Sequence, residues 1–171
     1  MGPDYERPGF GEDAEWRVAD APEAGGAAGW WRDYDDPALA ALVEGEKIDR
    51  VAGMESRGFI FGGPLGLDMD KPMVLMRKAG KLPAKVRSVT YDLEYGQATL
   101  EAHVDSFQPG DKVVIVDDLL ATGGTAAASA QLVRDAGAEV AAYLFLVELE
   151  FLKGRKALGE DAPVLCLVKY D

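Results

Sequence analysis

The chain has 171 residues, 48% of them hydrophobic and 28% charged, with a formal net charge of −12. That length suits one compact domain with a sizeable core, and so acidic a balance argues against a nucleic-acid surface. No apolar run is long enough to cross a bilayer and the start lacks the basic-then-apolar pattern of a secretory leader, so we expect a cytoplasmic protein with no membrane partner.

Residues 1–49 carry 13 acidic and 4 basic side chains; the remainder carry 17 and 14. All three tryptophans, Trp16, Trp30 and Trp31, also fall in the first part. This shift sets a boundary near Glu46-Lys47, separating an N-terminal segment over 1–46 from a domain over 47–171.

From Ile48 the pattern alternates between strand and helix. Ile48–Met54 reads as a short strand, Gly58–Leu67 as a glycine-rich helix packed close to a sheet, and Met73–Met76 as a second strand. Val86–Tyr95 and Ala98–Val104 read as a polar hairpin with Gly96-Gln97 near its turn. A polar excursion of this length inside an alternating domain suits a lid. Lys112–Val116 contains four consecutive β-branched residues, as a strand buried on both faces requires. A helix follows from about Thr125 to Ala136 and stops at Gly137. Val140–Val147 is a strong apolar strand, Phe151–Leu158 a short helix and Val164–Val168 a last strand. Cys166, the one cysteine, lies in that last apolar run and reads as a buried, inert thiol, since a nucleophilic thiol needs cations and access. The alternation predicts an α/β fold, a mostly parallel sheet with helices on both faces and a hairpin lid.

Ligands of such sheets sit beyond the carboxyl ends of the strands. Asp117-Asp118 fall at that end of the Lys112–Val116 strand. Ala121-Thr122-Gly123-Gly124-Thr125 then forms a small-residue turn at a helix start, where backbone N–H groups and the positive dipole end hold anions. Carboxylates that accept from hydroxyls, beside a turn that holds phosphate, suit a ligand with a diol and a phosphate. No Gly-Lys-Ser/Thr follows, which excludes a Walker loop, and the dinucleotide spacing of glycines is absent. Residues 77–91 hold five cations (Arg77, Lys78, Lys81, Lys85 and Arg87) and no acid, a patch suited to a polyanion. Arg57, in the turn after the first strand, is placed to clamp phosphate oxygens. His103 reads as a structural residue of the hairpin.

Several of these runs resemble the type I phosphoribosyltransferase family, and its adenine phosphoribosyltransferase branch in particular. They are Val113–Thr125 (VVIVDDLLATGGT), Glu55–Phe59 (ESRGF), Arg77–Pro83 (RKAGKLP) and Tyr91–Gly96 (YDLEYG). The resemblance implies that Asp117 and Asp118 hold the ribose hydroxyls of 5-phosphoribosyl 1-pyrophosphate (PRPP) and AMP, and that Ala121, Thr122, Gly123, Gly124 and Thr125 wrap the 5′-phosphate. It places Glu55, Ser56, Arg57, Arg77, Lys78 and Lys81 at the pyrophosphate, with a non-proline cis peptide at Glu55-Ser56. Glu94 becomes the catalytic acid/base toward N7 of the purine, Tyr95 helps close the lid, and Leu149 packs on the base. The implied reaction converts adenine and PRPP to AMP and pyrophosphate, with Mg²⁺ carried by PRPP rather than held directly, in a homodimer. The alternatives are a non-catalytic sensor of PRPP or a nucleotide on the same fold, and a transferase for another purine base.

Residues 1–43 fit this family least. Gly2–Pro8 and Trp30–Val43 resemble the mature N-terminus of outer-membrane efflux-channel lipoproteins. The other reading is a diverged hood over the base, with Asp36–Glu44 as a first helix.

Overall fold

The computed structural model describes residues 47–92 and 96–171. The expectations for 1–46, for Glu94 and for Tyr95 lie outside the described residues.

The strands are β1 (Arg50–Met54), β2 (Met73–Lys78), β3 (Val86–Asp92), β4 (Gln97–His103), β5 (Lys112–Leu120), β6 (Glu139–Leu149) and β7 (Val164–Tyr170). Two α-helices, α1 (Gly58–Asp68) and α2 (Gly124–Asp135), follow β1 and β5. The strands form one sheet in the order β3-β4-β2-β1-β5-β6-β7. From β2 to β7 through β1, β5 and β6 every pairing is parallel, whereas β4 joins β2 and β3 antiparallel. The hairpin therefore extends the sheet edge.

Alternate residues of each strand face opposite ways, and among the described residues α2 packs on one face and α1 on the other. Ala52, Met54, Val113, Ile115, Tyr143 and Phe145 pack with Ala126, Ala130 and Val133 of α2. Val51, Val114, Val116, Ala142 and Leu144 pack with Leu65 of α1. This double cover is why Val113–Val116 is apolar without interruption. Helix α1 lies very close to the sheet: a β-carbon on Gly58 would sit 2.5 Å from the carbonyl oxygen of Val116.

Some boundaries differ from the sequence reading. β5 continues to Leu120 because Asp117, Leu119 and Leu120 pair with Phe145, Val147 and Glu148 of β6. β2 continues to Lys78 because Arg77 and Lys78 pair with Glu101 and Leu100 of β4. The expected helix over Phe151–Leu158 is instead two 3₁₀ turns, Glu150–Leu152 and Gly154–Ala157. Lys153 between them has φ 55°, a left-handed conformation that no continuous helix admits. Cys166 is half-buried rather than enclosed; burial raises its pKa, which keeps it a thiol. His103 closes the hairpin ladder opposite Val86.

Candidate active site

β1 is the point at which the chain changes direction across the sheet. It leads through α1 to β2 on one side, and β5 later returns on the other. The loops after β1 and β5 diverge there, opening the crevice in which such sheets bind ligands. A cleft of about 580 Å³ occupies that position. Glu55, Ser56 and Arg57 enter it from β1, Asp117 and Asp118 from β5, Ala121–Thr125 from the following loop, and Lys78 and Lys81 from the end of β2.

The loop is shaped for an anion. Gly123 has φ 84°, and its carbonyl accepts the N–H of Ala127 at 2.9 Å, starting α2. The first turn of α2 carries no acidic residue, so its positive end is left for a ligand. The Tyr91 and Thr125 hydroxyls lie 3.1 Å apart, joining the root of the hairpin to the loop.

The two adjacent carboxylates have different environments. Asp118 faces the crevice and accepts a hydrogen bond from Nε of Arg57 at 2.5 Å. That partner raises the pKa of the exposed Arg57 guanidinium. Asp117 lies against the start of α1, its Oδ1 3.2 Å from where a β-carbon on Gly58 would sit, and that oxygen accepts the N–H of Asp118 at 2.9 Å. Burial pushes the Asp117 carboxyl up to about 7.

Glu55 is placed differently from a direct phosphate contact. Its side chain is 8% exposed and receives Nζ of Lys81, Nε of Arg77 at 3.4 Å and the N–H of Lys78 at 3.0 Å. The Lys81 ammonium, with these other donors, holds its carboxyl below the usual range despite burial. Arg77 also donates to the carbonyl of Lys81 at 3.0 Å, and Glu101 accepts the N–H of Gly80 at 3.0 Å. The cationic loop is thus fixed in shape around a carboxylate. The Glu55-Ser56 peptide is cis.

Two expected site residues do not line the cleft: Arg77, which reaches it only through Glu55 and Lys81, and Leu149, which pairs with Tyr170 at the end of β6. Sequence reasoning missed Tyr91, Met54 and Phe145, which line the cleft. The YDLEYG run carried a signal for Tyr91; Met54 and Phe145 read only as core.

A doubly covered parallel sheet with an acid pair and an anion-shaped small-residue loop at its switch point suits proteins that handle sugar phosphates. The chain is a member of the phosphoribosyl transferase domain family, whose pattern it matches over residues 38–165. Its relatives narrow the class. An adenine phosphoribosyltransferase of Agathobacter rectalis is 55% identical over 75% of this chain and 74% of its own length. Another, of Synechococcus sp., is 44% identical over 99% of this chain and 94% of its own. The structure of the Saccharomyces cerevisiae enzyme, complexed with D-2,5-dideoxy-2,5-imino-altritol 1,6-bisphosphate and adenine, superposes with a TM-score of 0.73 at 44% identity, covering 79% of this chain and 76% of that one. The expected type I phosphoribosyltransferase fold is the fold observed. The efflux-lipoprotein resemblance of residues 1–43 is not borne out, because the Synechococcus alignment spans almost the whole chain and the family match begins inside that stretch.

Proposed function

We infer that the chain is an adenine phosphoribosyltransferase, a pentosyltransferase that converts adenine and PRPP to AMP and pyrophosphate in purine salvage. The observation that carries this reading is the opposition, across one cleft, of two halves of a PRPP site. Asp117, Asp118 and the Ala121–Thr125 loop suit the ribose and 5′-phosphate, while Arg57, Lys78 and Lys81, lining the same cleft, suit the pyrophosphate. The relatives' names and the adenine in the yeast complex support the choice of base.

In the reaction a bond forms between adenine and C1 of the ribose as the C1–pyrophosphate bond breaks. Positive charge grows on the sugar while negative charge moves to the leaving group. Arg57, Lys78 and Lys81 stabilise the departing pyrophosphate, and Asp117 and Asp118 hold the ribose hydroxyls so that C1 keeps its orientation. Glu94 manages the proton on N7 of the purine, and Tyr95 helps the lid exclude water that would otherwise capture the sugar. Arg77 acts on the pyrophosphate side through Glu55 and Lys81.

Among the described residues no three His, Cys, Asp or Glu side chains converge as a metal cage. The carboxylates beside the cleft, Asp117 and Asp118, fit a hard cation that arrives on the ligand's own oxygens. Mg²⁺ carried on PRPP would supply charge neutralisation to the leaving group. No helix among the described residues is long and apolar enough to cross a membrane. We place the enzyme in the cytoplasm, as a homodimer with no membrane or nucleic-acid partner.

The test is AMP synthesis assayed with adenine, hypoxanthine and guanine in parallel. Turnover of adenine at least tenfold above the other bases is expected. A preference for hypoxanthine or guanine overturns the base assignment, and PRPP binding without turnover of any base leaves a sensor.

A further inference from the structure

The 5′-phosphate loop does not stand on its own backbone. It rests against the second 3₁₀ turn, Gly154–Ala157, more than thirty positions further along the chain. A β-carbon on Gly154 would lie 2.2 Å from the carbonyl oxygen of Ala121, and one on Gly123 would lie 2.3 Å from the carbonyl oxygen of Gly154. Each backbone occupies the space that a side chain on the other would need.

What fixes the turn is an ion pair outside the cleft. Glu148, in β6, is 3% exposed, one of two buried polar or charged residues among those described. Its carboxylate accepts from Arg155 twice, from Nε at 2.7 Å and from Nη2 at 2.6 Å. The remaining arm of Arg155 donates to the carbonyl of Val164, at the start of β7, at 2.9 Å. The planar guanidinium therefore ties the turn to two strands at once, a task that the single ammonium of lysine does not reproduce. Neither Glu148 nor Arg155 lines the cleft.

We propose that Arg155, locked by Glu148, is a positioning residue that seats Gly154 against Ala121–Gly123 and so sets the position of the 5′-phosphate loop. The inference rests on reading that loop as the 5′-phosphate site. The device acts on one half of the site: Glu55, Lys78 and Lys81, on the other half, bond to one another. A displacement of about 1 Å at such a site costs up to about a hundredfold.

The test uses Arg155→Ala, Arg155→Lys and Gly154→Ala in the full chain. AMP and pyrophosphate are titrated separately by calorimetry, with steady-state kinetics on PRPP and a thermal melt to confirm folding. Gly154→Ala leaves the ion pair in place and displaces only the loop, so it carries the test should Arg155→Ala fail to fold. AMP affinity is expected to fall at least tenfold in both, with pyrophosphate affinity within twofold of the parent. KM for PRPP rises while kcat changes less than threefold, and Arg155→Lys recovers only part of the loss. AMP affinity unchanged in a folded Gly154→Ala or Arg155→Ala protein overturns the proposal, as does an equal loss of AMP and pyrophosphate. A parent protein that binds pyrophosphate but no AMP overturns instead the reading of the loop on which the proposal rests.

Discussion

Nε of Arg57 lies 2.5 Å from Oδ2 of Asp118, joining the loop after β1 to the carboxyl end of β5 across the cleft. The residue assigned to pyrophosphate and the residue assigned to ribose neutralise each other when no ligand separates them. Glu55 does the same for Lys81 and Arg77. In the proposed function, these are the internal partners that a polyanionic substrate would have to replace.

Asp118→Asn removes both the partner of Arg57 and an acceptor for a ribose hydroxyl. An exposed ion pair contributes at most about 1 kcal/mol, so the melting temperature should move by only a few degrees. PRPP affinity should fall about tenfold or more while pyrophosphate affinity holds or strengthens, since Arg57 is released from its carboxylate partner. Calorimetric titration separates the two, and a parallel loss of both would contradict the division of the site.

Asp117 gives a pH signature. Its folded pKa, about 7, is above the unfolded carboxylate range, so between about pH 4 and 7 the folded chain holds a proton that the unfolded chain releases. This contribution is full below the unfolded pKa and is lost as pH rises through 7. Asn is neutral throughout. Asp117→Asn should therefore gain stability relative to the parent by about 2 kcal/mol between pH 4.5 and 7.5, a value discounted for the partial exposure of the carboxyl. Urea midpoints at the two pH values measure it, and a gap that does not vary with pH rules out the raised pKa.

Glu55→Gln removes one negative charge from among the cations and leaves an amide oxygen to accept the N–H of Lys78. Inhibition by pyrophosphate should strengthen about threefold at low salt and return toward the parent value at high salt. A weaker inhibition would mean that Glu55 serves chiefly to hold the shape of the cationic loop.

Glu94→Gln tests the proton-transfer role directly. General acid–base catalysis contributes about 10²–10⁴-fold, so AMP formation should fall within that range while PRPP binding is unchanged. Turnover within twofold of the parent would remove Glu94 from the mechanism.

Gly58→Ala addresses the scaffold. The added methyl would lie 2.5 Å from the carbonyl oxygen of Val116, just before the acid pair. Overpacking of this kind costs about 1–3 kcal/mol, and the displaced strand end should also raise KM for PRPP. Denaturant unfolding and steady-state kinetics read the two effects, and a stable variant with unchanged KM would show that α1 can withdraw without moving β5.

Local chemistry made much of this protein legible from its sequence. Four β-branched residues leading into Asp117-Asp118 marked a doubly buried strand, and Ala121–Thr125 marked the anion turn. Gly137, with φ 80°, ends α2 as expected of a glycine at that position. These features depend on neighbours a few residues apart, which a linear reading captures. The ends of β2 and β5 were read short because their last residues are held in the sheet by β4 and β6. The helix expected over Phe151–Leu158 failed because helical periodicity says nothing of Lys153 turning left-handed where the chain packs beneath the phosphate loop.

The alternating fold, the acid pair, the small-residue turn before α2 and the cationic run could be read from the sequence, because each is written in contiguous residues whose types have few other uses together. How those charges are partnered follows from packing between segments far apart in the chain. The tertiary structure placed Arg57 on Asp118 and Lys81 on Glu55, made Asp117 and Asp118 unlike, left Leu149 out of the cleft and set Gly154 behind the loop. Those outcomes depend on distances between groups far apart in the chain and on how much water the packing leaves around each, and neither is written in any short stretch of residues.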